Sequence, residues 1–305
     1  MQYLSVAEIA KKWQVSERSV RNYCAKGRVE GAFLVGKTWN IPENTVKPER
    51  TNNKKSKARM LLEVLKAEKA SKYPGGIYHK TQIELTYNSN HIEGSRLSHD
   101  QTRYIFETNT IGMEAGVVNV DDVIETANHF RCIDMIIDKA KSILTEKLIK
   151  ELHLTLKSGT SDSRKDWFSV GAYKRLPNEV GGMETALPEE VAAKMKALLS
   201  AYNAKQKVTL ADILDFHVKF ERIHPFQDGN GRVGRLIMFK ECLKHNIVPF
   251  IIEDNLKLFY YRGLKEWSKE RGYLIDTCLT AQDKYKAYLD YFRIPYKYTF
   301  KKEYM

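Results

Sequence analysis

The chain has 305 residues, 43% of them hydrophobic, and a formal net charge of +12; it can form one large domain with a sizeable core and a smaller second domain. No stretch approaches the roughly 18 apolar residues of a membrane span, the first residues lack the apolar segment of a secretion signal, and four widely spaced cysteines argue against a disulfide framework or a zinc ribbon. We therefore expect a cytoplasmic protein without a membrane partner.

The N-terminal segment predicts two short helices. Ser5 and Glu8 form a capping-box pattern. The apolar residues of the first helix follow at helical spacing: Val6, Ile9, Ala10 and Trp13. Ser16 can cap a second helix that ends near Lys26, before Gly27. The first 59 residues contain 13 Lys or Arg and 5 Glu. This excess of positive charge often marks a module that faces nucleic acid, although a solvated basic surface is the commoner cause of charge alone.

A β-hairpin is predicted after these helices. Residues 32–35 and 38–41 favour strands, and the intervening Gly36 and Lys37 suit a type II′ turn. Residues 2–47 thereby resemble the winged helix-turn-helix DNA-binding module of excisionase and MerR-like proteins. The resemblance implies that the second helix enters the major groove and that the wing contacts phosphate. The implied DNA-binding residues are Arg18, Ser19, Arg21, Asn22 and Lys37. Protein docking or dimerisation is the alternative role of this module.

The remaining sequence predicts a mainly α-helical domain. Residues 49–59 are polar and lack apolar periodicity, so they form a predicted linker between an N-terminal domain, residues 1–48, and a large domain, residues 60–300. Residues 148–156 and 210–220 carry apolar side chains at helical spacing. Residues 170–187 mix Tyr and Val with Pro and paired glycines, which predicts a small β-hairpin flap. The predicted fold class is therefore mainly α with a flap, preceded by a small winged helix-turn-helix domain.

The chemistry is concentrated in residues 224–235, HPFQDGNGRVGR, which lie between two predicted helices. Glycines on both sides of an asparagine allow successive backbone amides to form an anion-binding nest at a helix N-terminus. Arg232 and Arg235 add charge-assisted donors. Asp228 offers the carboxylate oxygen that Mg²⁺ prefers beside nucleotide phosphates, and His224 offers a general base. Together these residues indicate phosphoryl or nucleotidyl transfer.

The same residues match the signature H-x-F-x-(D/E)-G-N-G-R-x-x-R of the Fic family at every fixed position. The flanking sequences FHVKFERIHPF, ELHLTL and GAYK extend the resemblance over about residues 80–270. It implies that His224 deprotonates a target hydroxyl, which attacks the α-phosphate of ATP, while Asp228 holds Mg²⁺. Phe226 is expected to be buried. The implied nucleotide-binding residues are Gly229, Asn230 and Gly231 at the α-phosphate, Arg232 at the β-phosphate and Arg235 at the γ-phosphate.

The resemblance also implies a protein target and an inhibitory segment. The flap corresponds to the family's target-binding hairpin, so the acceptor is expected to be an extended segment with Ser, Thr or Tyr. Residues 89–94 contain S-x-x-x-E-G, similar to the family's inhibitory motif, within a helix expected at about 84–94. We expect Glu93 to pair with Arg235, displacing the γ-phosphate of ATP, and Ser89 to hydrogen-bond to the active-site loop.

Several alternatives remain open on sequence grounds. Removal of AMP from a modified protein is the alternative second activity, and UMP and phosphocholine are the alternative transferred groups. The related Doc proteins phosphorylate their targets, but their motif has Lys where this chain has Gly231. A nucleotide-responsive DNA-binding regulator is the alternative from another class, although the presence of His224 argues against it. The chain itself is a possible target, and a homo-oligomer is possible.

Overall fold

A computed structural model describes residues 2–48, 60–112, 117–180 and 183–296, with the side chains of 180–184 excepted. The chain separates into two compact units, unit 1 (residues 1–57) and unit 2 (residues 58–305), and each contains its own hydrophobic core. The predicted linker, residues 49–59, lies outside the described residues. Over those ranges, no helix is both long and apolar enough to cross a membrane.

Unit 1 combines two helices with a three-stranded antiparallel sheet. Its elements are β1 (Tyr3–Leu4), α1 (Val6–Trp13), α2 (Glu17–Ala25), β2 (Phe33–Val35) and β3 (Thr38–Pro42). The capping box forms as predicted, because the Ser5 hydroxyl accepts from the amide of Glu8 and the Glu8 carboxylate accepts from the amide of Ser5 at 2.8 Å. Gly36 has a φ of +61° and Lys37 does not have a positive φ, as a type II′ turn requires.

Strand β1 was not predicted from the sequence. It pairs with β3 through Tyr3 opposite Pro42 and Leu4 opposite Ile41, which gives the strand order β1-β3-β2. A two-residue strand is too short to show an alternating pattern, and its pairing partner lies far along the chain. Its presence therefore depends on tertiary contact.

Unit 2 is mainly helical, as predicted. Its helices are α3 (Leu61–Ser71), α4 (Ile77–Ile92), α5 (His99–Thr108), α6 (Val120–Asp138), α7 (Glu146–Lys157), α8 (Pro188–Asn203), α9 (Leu210–Ile223), α10 (Asn230–His245), α11 (Lys257–Glu266) and α12 (Gly272–Tyr291). A short hairpin, β4 (Glu179–Val180) and β5 (Met183–Glu184), precedes α8.

Helix α10 is the central element of unit 2. Nearly all its residues from Asn230 to Leu243 are buried, and it packs against α4, α6, α7 and α9. Its buried residues include five polar or charged ones, Asn230, Arg232, Arg235, Lys240 and Glu241, and buried polar groups of this kind need partners within the protein. This packing brings the N-terminal turn of α10 next to the ends of four other helices, where the motif residues lie.

Two boundaries differ from the sequence expectation. The helix expected at about 84–94 is the last part of α4, which begins at Ile77, directly after two glycines; Glu93 follows its final residue. Among the described residues of the predicted flap, the paired ones are Glu179 with Glu184 and Val180 with Met183. The preceding part is bound to the motif loop instead, because the Lys174 amide donates to the carbonyl of Pro225 at 2.9 Å.

Candidate active site

The motif loop is shaped by two residues with positive φ. His224 terminates α9 in the left-handed conformation, with a φ of 49°. Gly229 precedes the first residue of α10, with a φ of 78°. A left-handed histidine is uncommon, and strained backbone of this kind concentrates at functional sites. These two turns bring the imidazole of His224 and the N-terminus of α10 to the same side of unit 2.

Asn230 closes the loop by bonding to Phe226. Its Oδ1 accepts from the Phe226 amide and its Nδ2 donates to the Phe226 carbonyl, both at 2.8 Å. Both polar atoms of the Asn230 side chain thus bond within the loop in this structure, and its contact with the α-phosphate stays a prediction. Phe226 is fully buried, as expected. Asn230 thus fixes the shape of the loop.

His153 supports the loop from α7. Its ring stacks on Phe226 with the centroids 3.9 Å apart. Its Nδ1 accepts from the amide of Gly171 at 2.9 Å, so its Nε2 carries the hydrogen that is donated to the carbonyl of Asp228 at 3.1 Å. Burial lowers the pKa of His153 to about 3, which keeps this tautomer neutral. His153 therefore joins the start of the flap segment to the motif loop.

His224 has the protonation state of a base. Burial, with the nearby Lys174 ammonium, lowers the pKa of His224 to about 4. The imidazole is therefore neutral at pH 7 and can accept a proton. Its Nδ1 is buried and a backbone hydrogen bond with Glu221 partly opposes the decrease in pKa, which leaves Nε2 as the ring nitrogen that a hydroxyl could reach.

The first turn of α10 is suited to anions. The amides of Asn230, Gly231 and Arg232 begin the helix, and such amides have no acceptor within the helix. The partial positive charge at a helix N-terminus adds to their attraction for phosphate. A Cβ added to Gly231 would clash with Glu93 Oε1. A carboxylate of the chain itself therefore already lies against this turn.

Asp228 lies within a network of charges. Lys157 Nζ and Arg232 Nη2 both contact its Oδ2, at 2.7 and 3.1 Å. Lys157 also pairs with Glu125 and with Asp162, and Arg232 pairs with Glu125. Burial would raise the pKa of Asp228, but Arg232 and Lys157 outweigh burial and hold that pKa well below its usual range. Asp228 is therefore an ionised carboxylate.

The residues around Asp228 fit a Mg²⁺ ion only if substrate phosphates and water supply most of its ligands. Within the described ranges, no three His, Cys, Asp or Glu side chains are arranged to hold a metal ion. Mg²⁺ usually binds nucleotide enzymes through one or two carboxylates together with substrate phosphates and water. The ionised Asp228, which is 47% exposed, meets that smaller requirement. A metal bound without nucleotide is not expected from this donor set.

Glu93 and Ser89 both bind the guanidinium of Arg235. Arg235 Nη2 donates to Glu93 Oε1 at 2.7 Å and to the Ser89 carbonyl at 2.8 Å, and its Nε donates to Ser89 Oγ at 2.9 Å. Burial would lower the pKa of Arg235, but Glu93 outweighs it and raises that pKa. The expected partner of Ser89 was the active-site loop; the structure places its hydroxyl on Arg235 of α10 instead, because the end of α4 packs against that helix.

In unit 1, the proposed DNA-binding side chains are mostly exposed. Arg18, Arg21, Asn22 and Lys37 are exposed, and Arg21 forms a 3.0 Å surface pair with Glu17 of the same helix. Ser19 differs from the expectation, because its hydroxyl lies 3.0 Å from that of Ser16 at the start of α2 and the side chain is half-buried. Ser19 therefore belongs to the helix start.

Sequence reasoning missed three residues of the site in unit 2, namely Glu125, His153 and Lys157. The sequence ELHLTL indicated the neighbourhood of His153 but not its bonds. A lysine in the last turn of a helix is usually solvated, and yet the side chain of Lys157 is only 2% exposed. Ion pairs between residues far apart along the chain leave no periodic signal.

Comparison with known proteins identifies the region that contains the motif. Residues 143–242 match the Fic/DOC family. Over 187 residues the chain is 29% identical to "Protein adenylyltransferase Fic" of Drosophila grimshawi, covering 59% of this chain and 36% of that protein. The protein of the same name from Aedes aegypti is 27% identical over 186 residues, covering 60% and 36%. The chain thus spans about a third of the length of these relatives.

Solved structures show the same fold. A Fic domain containing signaling protein from Bacteroides thetaiotaomicron is 28% identical, with a TM-score of 0.57 over 75% of this chain and 90% of that one. Fic-1 from C. elegans, residues 134–508, has a TM-score of 0.60 and 18% identity over 76% of this chain and 72% of that one. Residues 143–242 therefore match the Fic/DOC family, in a chain that is similar in fold to solved Fic-domain structures and similar in sequence to curated Fic adenylyltransferases.

Proposed function

We propose that this chain is a nucleotidyltransferase that moves AMP from ATP to a Ser, Thr or Tyr hydroxyl of a protein, and that Glu93 restrains it. The main observation in support is that a neutral His224 and the first turn of α10, which is suited to anions, lie at the two ends of one loop. This arrangement supplies a base and a phosphate site on one loop. The adenylyltransferase relatives support the choice of AMP as the transferred group.

In the proposed reaction, His224 Nε2 takes the proton of the target hydroxyl as its oxygen bonds to the α-phosphorus. The bond from the α-phosphorus to the bridging oxygen breaks, and pyrophosphate leaves with the electron pair. In this proposal the amides of Gly231 and Arg232 would hold phosphate oxygens, and the Arg232 and Arg235 guanidinium groups would hold the β- and γ-phosphates. Mg²⁺, held by Asp228 and the phosphates, would neutralise charge on the leaving group.

The proposed restraint follows from the bonds of Arg235. Glu93 already accepts from Nη2, and its carboxylate lies against Gly231. A γ-phosphate at Arg235 would have to displace this carboxylate or bind beside a like charge. ATP would then bind in a displaced position, and a misalignment of about 1 Å can lower a rate by about 10²-fold.

A transfer assay in the Glu93→Gly variant tests the proposed activity. We expect label from ATP labelled at the α-phosphate to appear on protein, and no label from ATP labelled at the γ-phosphate. Adding His224→Ala should lower labelling by about 10³-fold through loss of the base, while ATP affinity stays unchanged. His99→Ala, at a 43% exposed side chain outside the site, is the matched control. Label from the γ-phosphate alone would contradict AMP transfer.

We propose separately that unit 1 binds DNA. Support comes from the exposed Arg18, Arg21 and Asn22 on α2, since basic and amide side chains on an exposed helix serve both phosphate and base contacts. Fluorescence anisotropy with duplex DNA tests this. Arg18→Ala should weaken binding and reduce its salt dependence by about one unit of the logarithmic slope. Binding that is the same in the variant and the parent would contradict this assignment.

A further inference from the structure

We propose that the ammonium of Lys157 contributes positive charge to the phosphate site and so strengthens the binding of ATP in the absence of Mg²⁺. The carboxylate of Asp162 weakens this effect. This inference rests on the proposed function, because it assigns roles toward ATP and Mg²⁺ to residues outside the motif. Together with Glu125, Asp228 and Arg232, these two residues form the charge network described above. Glu125 pairs with both of its cations, Lys157 and Arg232.

The geometry places one ammonium among three carboxylates. Lys157 Nζ lies 2.5 Å from Glu125 Oε1, 2.7 Å from Asp228 Oδ2 and 2.8 Å from Asp162 Oδ2. Glu125, from α6, binds Lys157 with one oxygen and Arg232 with the other. Two helices and the motif loop therefore meet at a single buried cation.

The network opens toward solvent at Asp228. The side chains of Lys157 and Arg232 are 2% and 6% exposed, whereas that of Asp228 is 47% exposed. Both cations contact the same oxygen, Asp228 Oδ2. An incoming phosphate or metal ion would thus meet a carboxylate whose inner side is already neutralised by the chain.

Stability alone is a poor reason for this arrangement. Burying charges costs solvation, and well-packed apolar residues often replace a buried ionic group without loss of stability. Here two cations and three carboxylates are gathered beside the first turn of α10, which leaves the network with one net negative charge. Because a triphosphate is itself negative, a change in the net charge of this network should change the affinity for a triphosphate.

Removal of the Lys157 charge and removal of the Asp162 charge should change the affinity for metal-free ATP in opposite directions. Removing the ammonium of Lys157 makes the network more negative, so it should repel metal-free ATP and attract divalent cations more strongly. Removing the charge of Asp162 makes the network neutral, so metal-free ATP should bind better. A purely structural defect would instead weaken binding of ATP with and without Mg²⁺ alike. The sign of each effect therefore separates the two explanations.

The test measures ATP affinity by calorimetry in the full chain with Glu93→Gly and His224→Ala, so that binding is seen without transfer. Each variant is titrated once in chelator and once in excess Mg²⁺. We expect Lys157→Met to lower metal-free affinity about tenfold and Mg²⁺-supported affinity about threefold or less, and Asp162→Asn to raise metal-free affinity about threefold. Lys157→Arg should stay close to the parent. Lys147→Met, an exposed position on the same helix, is the matched control.

Equal losses for Lys157→Met in chelator and in Mg²⁺ would overturn the proposal, as would a loss of metal-free affinity in Asp162→Asn. If circular dichroism shows that Lys157→Met is unfolded, the test depends on Asp162→Asn alone. A rise in the metal-free ATP affinity of Asp162→Asn supports the proposal, and a fall or no change in that affinity overturns it. If the parent binds no ATP at all, the proposed function fails together with this inference. ATP binding that is indifferent to both residues overturns the inference only.

Discussion

His224 and Glu221 lie in one buried corner, and burial moves their pKa values in opposite directions. His224 Nδ1 and Glu221 Oε2 are 4.0 Å apart. Burial lowers the pKa of His224 to about 4 and, with the charge of Glu93, raises the pKa of Glu221 to about 8. At pH 7 the imidazole is therefore unprotonated and the carboxyl mostly protonated. Glu221 therefore adds little negative charge near Arg235, whose carboxylate partner is Glu93.

The first prediction concerns the pH dependence of transfer. The base must be neutral, and because its pKa is lowered, the acidic limb of kcat/KM in Glu93→Gly should have its midpoint near pH 4 rather than near 6.5. Lys174→Met removes a nearby positive charge that lowers this pKa, so its limb should move to higher pH. A pH-rate profile of both variants checks this. A limb near 6.5 in each would contradict the assigned environment of His224.

The second prediction concerns stability and Glu221. Its folded pKa of about 8 exceeds the ordinary value of 4.5, so the folded state binds the proton more tightly. The free energy of unfolding should therefore fall as pH rises from 4.5 to 8. Glu221→Gln lacks this loss, so between pH 5 and pH 8 its free energy of unfolding should rise relative to that of the parent by about 3 kcal/mol. Urea unfolding at both pH values measures it; parallel pH dependence in parent and variant would refute the buried carboxyl.

At the scale of elements, apolar periodicity predicted helices but not the side-chain contacts between them. The apolar spacing in α7 and α9 and the glycines around Asn230 give local signals. The contact of Glu93 with Arg235 joins residues 142 apart in sequence, and it was expected only through the resemblance to a family. The Glu125 to Lys157 pair had neither kind of signal, because each residue alone has the pattern of a solvated helix position. Tertiary packing decided that part of the site.

A third prediction tests the close packing of α11 on α12. A Cβ added to Gly263 would lie 2.7 Å from the Cα of Leu274, a distance that only a backbone shift can relieve. Gly263→Ala should therefore lower the free energy of unfolding by about 2 kcal/mol. Gly272→Ala is the control, because its nearest neighbour is the side chain of Glu270, which can move. Equal stability of the two variants in thermal unfolding would contradict the packing.

At the scale of the whole molecule, each unit has a core of its own. The core of unit 2 is built from residues 61–294, and that of unit 1 from residues 6–41. The candidate active site lies entirely in unit 2. The change from a basic, mixed segment to a helical pattern predicts a linker at residues 49–59, and these residues lie outside the described ranges.

The fourth prediction is that unit 2 suffices for transfer. A chain of residues 58–305 carrying Glu93→Gly should fold, bind ATP and transfer AMP at a rate within about threefold of the full chain, because the site residues described above belong to unit 2. Circular dichroism and the labelling assay measure this. A folded fragment that binds ATP but transfers no label would show that unit 1 contributes to the reaction.

The central claim is that the bond of Glu93 to Arg235 holds the chain in a state of low activity. The most direct measurement is the initial rate of transfer from α-labelled ATP at saturating ATP for the unsubstituted chain, Glu93→Gly and Glu30→Gly, an exposed carboxylate of unit 1. We predict that Glu93→Gly is faster by about 10²-fold and that Glu30→Gly equals the unsubstituted chain. Equal rates in all three, with transfer detectable in each, would contradict the claim.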